Sequence, residues 1–122
     1  MHLDKRNIKE PIFILGFLKN KDFKTICDSL HFRVGGEFHL VPIPGTDRAE
    51  STSLIAQELS CLEISVVEWE SAMDCLLSCL SLAQDSKRPI VIAGSVYLAG
   101  YLRDKLSQID KRVVPLQSVK YW

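Results

Sequence analysis

Residues Trp69–Gly94 read WESAMDCLLSCLSLAQDSKRPIVIAG, and the two halves of this stretch decide the fold. In the first half Trp69, Ala72, Met73, Leu76, Leu77, Leu80 and Ala83 recur at steps of three and four. Glu70, Asp74, Ser78 and Ser81 fall between them. That spacing predicts an amphipathic helix with one face laid on a sheet. In the second half Pro89–Ala93 (PIVIA) is a short, unbroken apolar run. Such a run fits a strand buried on both faces, and strands of that kind belong to parallel sheets with helices on either side.

The same alternation extends outward in both directions. Downstream, Gly94-Ser95 opens a helix from Val96 to about Leu106, and Val113-Val114 begins a last strand. Upstream, Leu62–Val67 is a third strand, and Ser51–Leu59 has helical spacing through Leu54, Ile55 and Leu59. Pro42–Asp47 (PIPGTD) has the proline and glycine chemistry of a loop. Glu37–Pro42 is a second strand carrying Phe38, Leu40 and Val41, and His39, alternating with Phe38 and Leu40, is expected to point out of it. Gly35-Gly36 separates that strand from a helix over Asp22–Leu30, which places Phe23, Ile26, Cys27 and Leu30 on one side. Ile12–Phe17 (IFILGF) is the first strand, buried on both faces. Residues 1–11 read as a polar lead-in or the stub of a preceding helix, and residues 12–122 as one domain. Strands and helices that alternate without hairpin signals predict an α/β, Rossmann-like three-layer sandwich. Its sheet is expected to be mostly parallel, with about five strands.

Composition removes several classes of function. The chain has 122 residues, enough for one core, and its 15 basic residues balance 15 acidic ones. A nucleic-acid binder would carry a basic excess, so no nucleic-acid partner is expected. No apolar run reaches the ~18 residues of a membrane span, and no polybasic segment suits an anionic membrane surface. Cys27, Cys61, Cys75 and Cys79 contain no Cys-x-x-Cys pair and sit within apolar patterns, as reduced thiols of a cytoplasmic protein do.

In doubly wound sheets ligands meet the loops at the carboxyl ends of the strands. Three such loops hold polar candidates here: Lys19–Asp22, Pro42–Arg48 and Gly94–Tyr97. Ser95 can cap the helix it begins or offer its hydroxyl to an anion at that helix terminus, and position alone favours the cap. Asp22 and Lys21 likewise read first as a cap and a solvated cation. Arg48 can clamp a carboxylate with two parallel hydrogen bonds, or form an exposed ion pair with Asp47 or Glu50. Gly94–Gly100 is not a phosphate-binding P-loop: five residues separate its glycines, and Tyr101-Leu102 replace the lysine and hydroxyl residue. Cys75 and Cys79, four apart beside the apolar stripe, lack a partner pair to complete four metal ligands, so no metal site and no catalytic residue is assigned.

At these loops the sequence resembles the carboxy-terminal domain of the folylpolyglutamate synthase/dihydrofolate synthase family, within the Mur ligase superfamily. Phe13–Asp22 (FILGFLKNKD) is similar to a family strand that ends in glycine and leads to a Lys-Asp pair. Val41–Ala49 (VPIPGTDRA) is similar to its proline-rich loop ending in Arg-Ala. Ile92–Leu102 (IAGSVYLAGYL) is similar to its Gly-Ser-Leu-Tyr-Leu-x-Gly segment, the most specific of the three. Asn20 departs from the aspartate often found before the Lys-Asp pair, and the family's Asp-Gly-Ala-His-Asn-Pro-type segment and P-loop are absent.

The resemblance implies part of an ATP-dependent ligase, in which a folate or pteroate carboxylate becomes an acyl phosphate that the amine of L-glutamate attacks. ATP and magnesium would be held mainly by a central ATPase domain, the implied partner of this one. Lys21, Asp22, Arg48, Gly94, Ser95 and Tyr97 match family positions that face the interdomain cleft and help to position glutamate and nucleotide. The isolated chain is then expected to be inactive. A non-catalytic domain that binds a small anion or serves regulation is the other reading that these residues allow.

Overall fold

The computed structural model describes residues 10–109 and 119–121. Its elements run β1 (Ile12–Gly16), α1 (Phe23–Arg33), β2 (Glu37–Leu40), α2 (Thr52–Ser60), β3 (Val66–Glu68), α3 (Ala72–Ser86), β4 (Ile90–Gly94), α4 (Val96–Ser107) and β5 (Val119–Tyr121). The five strands form one sheet in the order β3-β2-β1-β4-β5, and every pairing is parallel. The α/β sandwich expected from the sequence is the fold.

The winding follows from which faces are apolar. From β1 the chain steps outward through α1 and α2 to β3, then α3 carries it back across β1 to β4. Reversal of direction with one crossover hand puts the second pair of helices on the opposite face. Alternation along the central strands supplies both layers. Ile12, Ile14, Ile90 and Ile92 join α3 and α4 residues such as Leu76, Leu80, Leu98 and Leu102 in one core. Phe13, Leu15, Phe38, Leu40 and Val91 join Phe23, Cys27, Leu30, Ile55 and Leu59 of α1 and α2 in the other. Strands β1 and β4 are thus apolar at every position that faces either layer, as their unbroken sequence runs demand.

Helix starts are set by side chains. Asp22, Ser51, Ser71 and Ser95 cap α1 to α4, each accepting a hydrogen bond from a backbone N–H two or three residues on. These oxygens satisfy donors that have no partner in the first turn. The left-handed Lys87 (φ 57°) ends α3 and lets Arg88 turn back to donate to the Glu10 carbonyl at 2.8 Å.

Three expectations are corrected. The third strand is Val66–Glu68, three residues long, rather than Leu62–Val67, because the chain turns through Leu62 and the left-handed Glu63 (φ 61°) first. The stripe of α3 runs through Cys75 and Cys79, both buried, whereas Leu77 is half exposed. His39 does not point into solvent: it is buried at 5% exposure, because α3 covers the face opposite Phe38 and Leu40. The strand start at Val113-Val114 and residues 1–9 of the lead-in lie outside the described residues, and the last strand described is β5.

Burial sorts the thiols. Cys27, Cys75 and Cys79 are buried and Cys61 is exposed, and burial pushes the Cys27 thiol up to about 12. A disulfide reagent added to the native chain at neutral pH is therefore expected to modify one cysteine quickly, Cys61, and all four after denaturation. Rapid modification of three or four cysteines in the native state would contradict the packing.

Candidate functional site

Strands β1 and β4 end side by side, with Gly16 paired to Gly94. Gly94 has φ +108°, and a Cβ there would lie 2.2 Å from the Gly16 carbonyl oxygen. Only glycine permits this approach, which lets the Ser95 N–H donate to the Gly16 carbonyl at 3.0 Å. The switch in winding falls between these strands, so their carboxyl ends frame the crevice where ligands bind in open α/β sheets.

Leu18, Lys21, Gly94, Ser95 and Val96 line a pocket of about 130 Å³ at this point. Ser95 is buried, and its Oγ accepts from the Tyr97 N–H at 3.0 Å, so it is the cap of α4. Because Oγ accepts there, its own O–H remains available to donate toward the pocket. The capping role and a ligand role are compatible in this geometry. Lys21 supplies a cation to the same pocket, two residues before α1 begins.

The other expected site residues are placed less centrally. Asp22 caps α1 through its carboxylate, which accepts from the Thr25 N–H at 3.2 Å. Hydrogen bonds from Thr25 hold that carboxyl below its ordinary value. Arg48 is exposed in the loop after β2, which is stitched to the loop after β1: Lys19 N–H donates to the Arg48 carbonyl at 2.7 Å, and Leu18 bridges Ala49. Arg48 thus stands near the pocket without lining it. Tyr97 is 57% exposed on the first turn of α4, outside the pocket wall.

A second cluster of polar side chains was not assembled by the sequence reading, which gave Cys75 and Cys79 a packing role and pointed His39 out of its strand. His39 of β2 lies against Cys75 and Cys79 of α3, with the ligand atoms of all three within 4.8 Å of one another. The two sulfurs are 3.8 Å apart. Trp69 Nε1–H donates to His39 Nδ1 at 2.9 Å, and His39 Nε2 lies 3.3 Å from Glu37 Oε1. Arg88 pairs with the same Glu37 carboxylate and holds it below its usual range. Cys75 and Cys79 share one hydrogen bond, which pulls Cys79 down and pushes Cys75 up, and His39 lowers Cys79 further. Burial acts to lower His39, but its interactions with Cys79 and Glu37 outweigh that and raise it. The signal for this cluster was the Cys-x-x-x-Cys step together with a polar residue inside a strand covered on both faces.

Over 104 residues, 84% of its length, the chain is 34% identical to a folylpolyglutamate synthase of Lacticaseibacillus casei. The chain is a homologue of folylpolyglutamate synthase. It spans 22% of that relative's length. No family model and no solved structure matches it.

The fold brings the segments that resemble folylpolyglutamate synthase to one edge. Phe13–Asp22 and Ile92–Leu102 meet through the Gly16–Gly94 pair, and Val41–Ala49 joins them through the Leu18–Ala49 bridge. Segments far apart in sequence thus share the carboxyl edge of the sheet, around Lys21, Gly94 and Ser95.

The cap and the glycine approach can be separated by substitution. Ser95→Ala is expected to lower unfolding free energy by ~1 kcal/mol, and Ser95→Asn to restore most of it. Gly94→Ala is expected to cost about 1–3 kcal/mol from backbone conformation alone, with the collision at Gly16 adding to it. Urea unfolding measures both, and a Gly94→Ala chain as stable as the parent would contradict the close approach.

Proposed function

We propose that this chain acts as the carboxy-terminal domain of an ATP-dependent ligase that adds L-glutamate to a folate-type substrate, with the carboxyl edge of its sheet turned toward an ATPase domain. The observation that carries this reading is the meeting of Lys21, Gly94 and Ser95 around one pocket at the switch point, in a homologue of folylpolyglutamate synthase. Lys21 offers up to three N–H donors to a carboxylate or phosphate oxygen, and the Ser95 hydroxyl offers one more across the pocket. The first turn of α4 adds the partial positive charge of a helix start. Arg48, on the neighbouring loop, is the residue placed to approach a carboxylate when a second domain closes over this edge. Tyr97 and Val96, both well exposed beside it, are the apolar surface that such a domain would cover.

Nucleotide and magnesium do not fit these residues alone. The pocket, about 130 Å³, lies below the ~300–1,000 Å³ of ordinary cofactor sites. The carboxylate next to Lys21 in sequence, Asp22, is engaged in capping α1. The chain's share is therefore to orient an anionic group and exclude water, while nucleotide chemistry belongs to the partner domain. A cytoplasmic setting suits both the folate substrate and four unpaired thiols.

The test is a chimera in which this chain replaces the matching segment of the Lacticaseibacillus casei relative. The free chain should form no product from ATP, glutamate and a folate or dihydropteroate, whereas the chimera should. Lys21→Ala and Ser95→Gly in the chimera are each expected to lower turnover at least tenfold with little change in melting temperature, since glycine is a tolerable cap. A folded chimera whose ligation ignores both substitutions would remove the site assignment. Saturable binding of a small anion by the free chain, combined with an inactive chimera, would instead favour a non-catalytic binding domain.

A further inference from the structure

The His39, Cys75 and Cys79 side chains lie on the sheet face opposite α1 and α2, and the proposed ligase cleft makes no use of them. A buried cysteine pair alone is ordinary core packing, since a thiol behaves as a small hydrophobe. Here an imidazole from a strand is added to two thiols from a helix, and a carboxylate stands at its edge. Their spacing is that of a soft-metal site. Two thiolates bound at about 2.3 Å to one tetrahedral ion sit roughly 3.8 Å apart, and the Cys75 and Cys79 sulfurs are 3.8 Å apart. The Glu37 oxygen lies 3.3 Å from His39 Nε2, beside but outside the group of three ligand atoms within 4.8 Å of one another.

We propose that His39, Cys75 and Cys79 hold a structural zinc ion that locks β2 to α3, with the Glu37 carboxylate swinging in beside His39 as the fourth ligand. The two sulfurs face the same side of α3 because they are four residues apart, and β2 holds the imidazole against them. Ligands on a helix and a strand are pre-positioned, unlike ligands on loops. Charge decides for a divalent ion: two thiolates and one carboxylate leave a net −1 with Zn²⁺, and Arg88, paired to Glu37, brings the sum to zero. Cys75 and Cys79 are fully buried, so only a closed, neutral site is tolerable there.

Trp69 makes the site conditional. Its indole N–H donates to His39 Nδ1, which leaves the ring proton on Nε2, facing Glu37. For zinc to bind at Nε2, that proton must move to Nδ1, where it meets the indole donor. The Trp69 side chain must therefore release the ring when the metal enters, and the thiol protons pass to solvent. Trp69 and zinc compete for one imidazole.

The experiment uses the full 122-residue chain, reduced and stripped with a chelator, titrated with Zn²⁺ and with Co²⁺ as a coloured substitute. One equivalent should bind, and cobalt should give the visible bands of a tetrahedral ion with the near-ultraviolet charge transfer of two thiolates. Cys75→Ser and Cys79→Ser should each abolish the two-thiolate signature, whereas Cys61→Ser, at the exposed cysteine, should keep it. Trp69→Phe should tighten zinc binding on the order of tenfold, because no indole donor then has to leave the imidazole. In a Trp122→Phe background, zinc should change the remaining indole fluorescence. Should the cysteine variants fail to fold, the parent chain decides: no stoichiometric cobalt spectrum, or weaker zinc binding in Trp69→Phe, would overturn the proposal.

Discussion

The close approach of β1 and β4 at their carboxyl ends is the constraint on which the rest depends. Two glycines face each other there, and no side chain fits between Gly94 and the Gly16 carbonyl. This contact aligns the strand ends and fixes the start of α4, since the Ser95 N–H is held by Gly16. The reversal of winding at the same place leaves a crevice that neither pair of helices covers. A polar residue at this edge can therefore be both anchored and turned toward the crevice, and Ser95, buried with its oxygen capping α4, lines the small pocket there.

Full coverage of both sheet faces has a second consequence. A position that would meet water in a one-sided sheet meets another layer here, and a polar residue at such a position must find partners inside the protein. His39 finds them in Trp69 on one side and in Glu37 and the two α3 thiols on the other. No buried side-chain nitrogen or oxygen among the described residues is left without a partner. The carboxyl edge of the sheet and the thiol–imidazole cluster thus arise from the same architecture, one at a gap between layers and one sealed beneath a layer.

Much of the architecture was legible because the central strands are apolar at every position and the helices have clean starts. IFILG and IVIAG admit few readings besides doubly covered strands, and Asp22 and Ser95, read from the sequence as caps, begin α1 and α4 in the structure. The short edge strand was displaced, because Ile64 is apolar for a turn that packs onto the core rather than for pairing, while Leu62 is exposed on that turn. The three loops were legible as ligand-facing, but their sequences could not rank them; that required the bridge between Leu18 and Ala49 and the small pocket shared by Lys21 and Ser95. The His39 cluster was hidden because its members come from elements 36 and 40 residues apart, and because alternation was taken to mean exposure.

Homology to a folylpolyglutamate synthase that is several times longer, and a sheet edge that gathers Lys21, Gly94 and Ser95 around one pocket, are the grounds of the proposal that this domain belongs to a larger ligase. The measurement that bears most directly on that account is the size of the native polypeptide in its source cells, by immunoblot with an antibody raised against this chain. The account predicts a band several times the size of the 122-residue chain, with ATPase and glutamate-ligating regions on one polypeptide. A band at the size of this chain alone would contradict it and leave a free-standing binding domain.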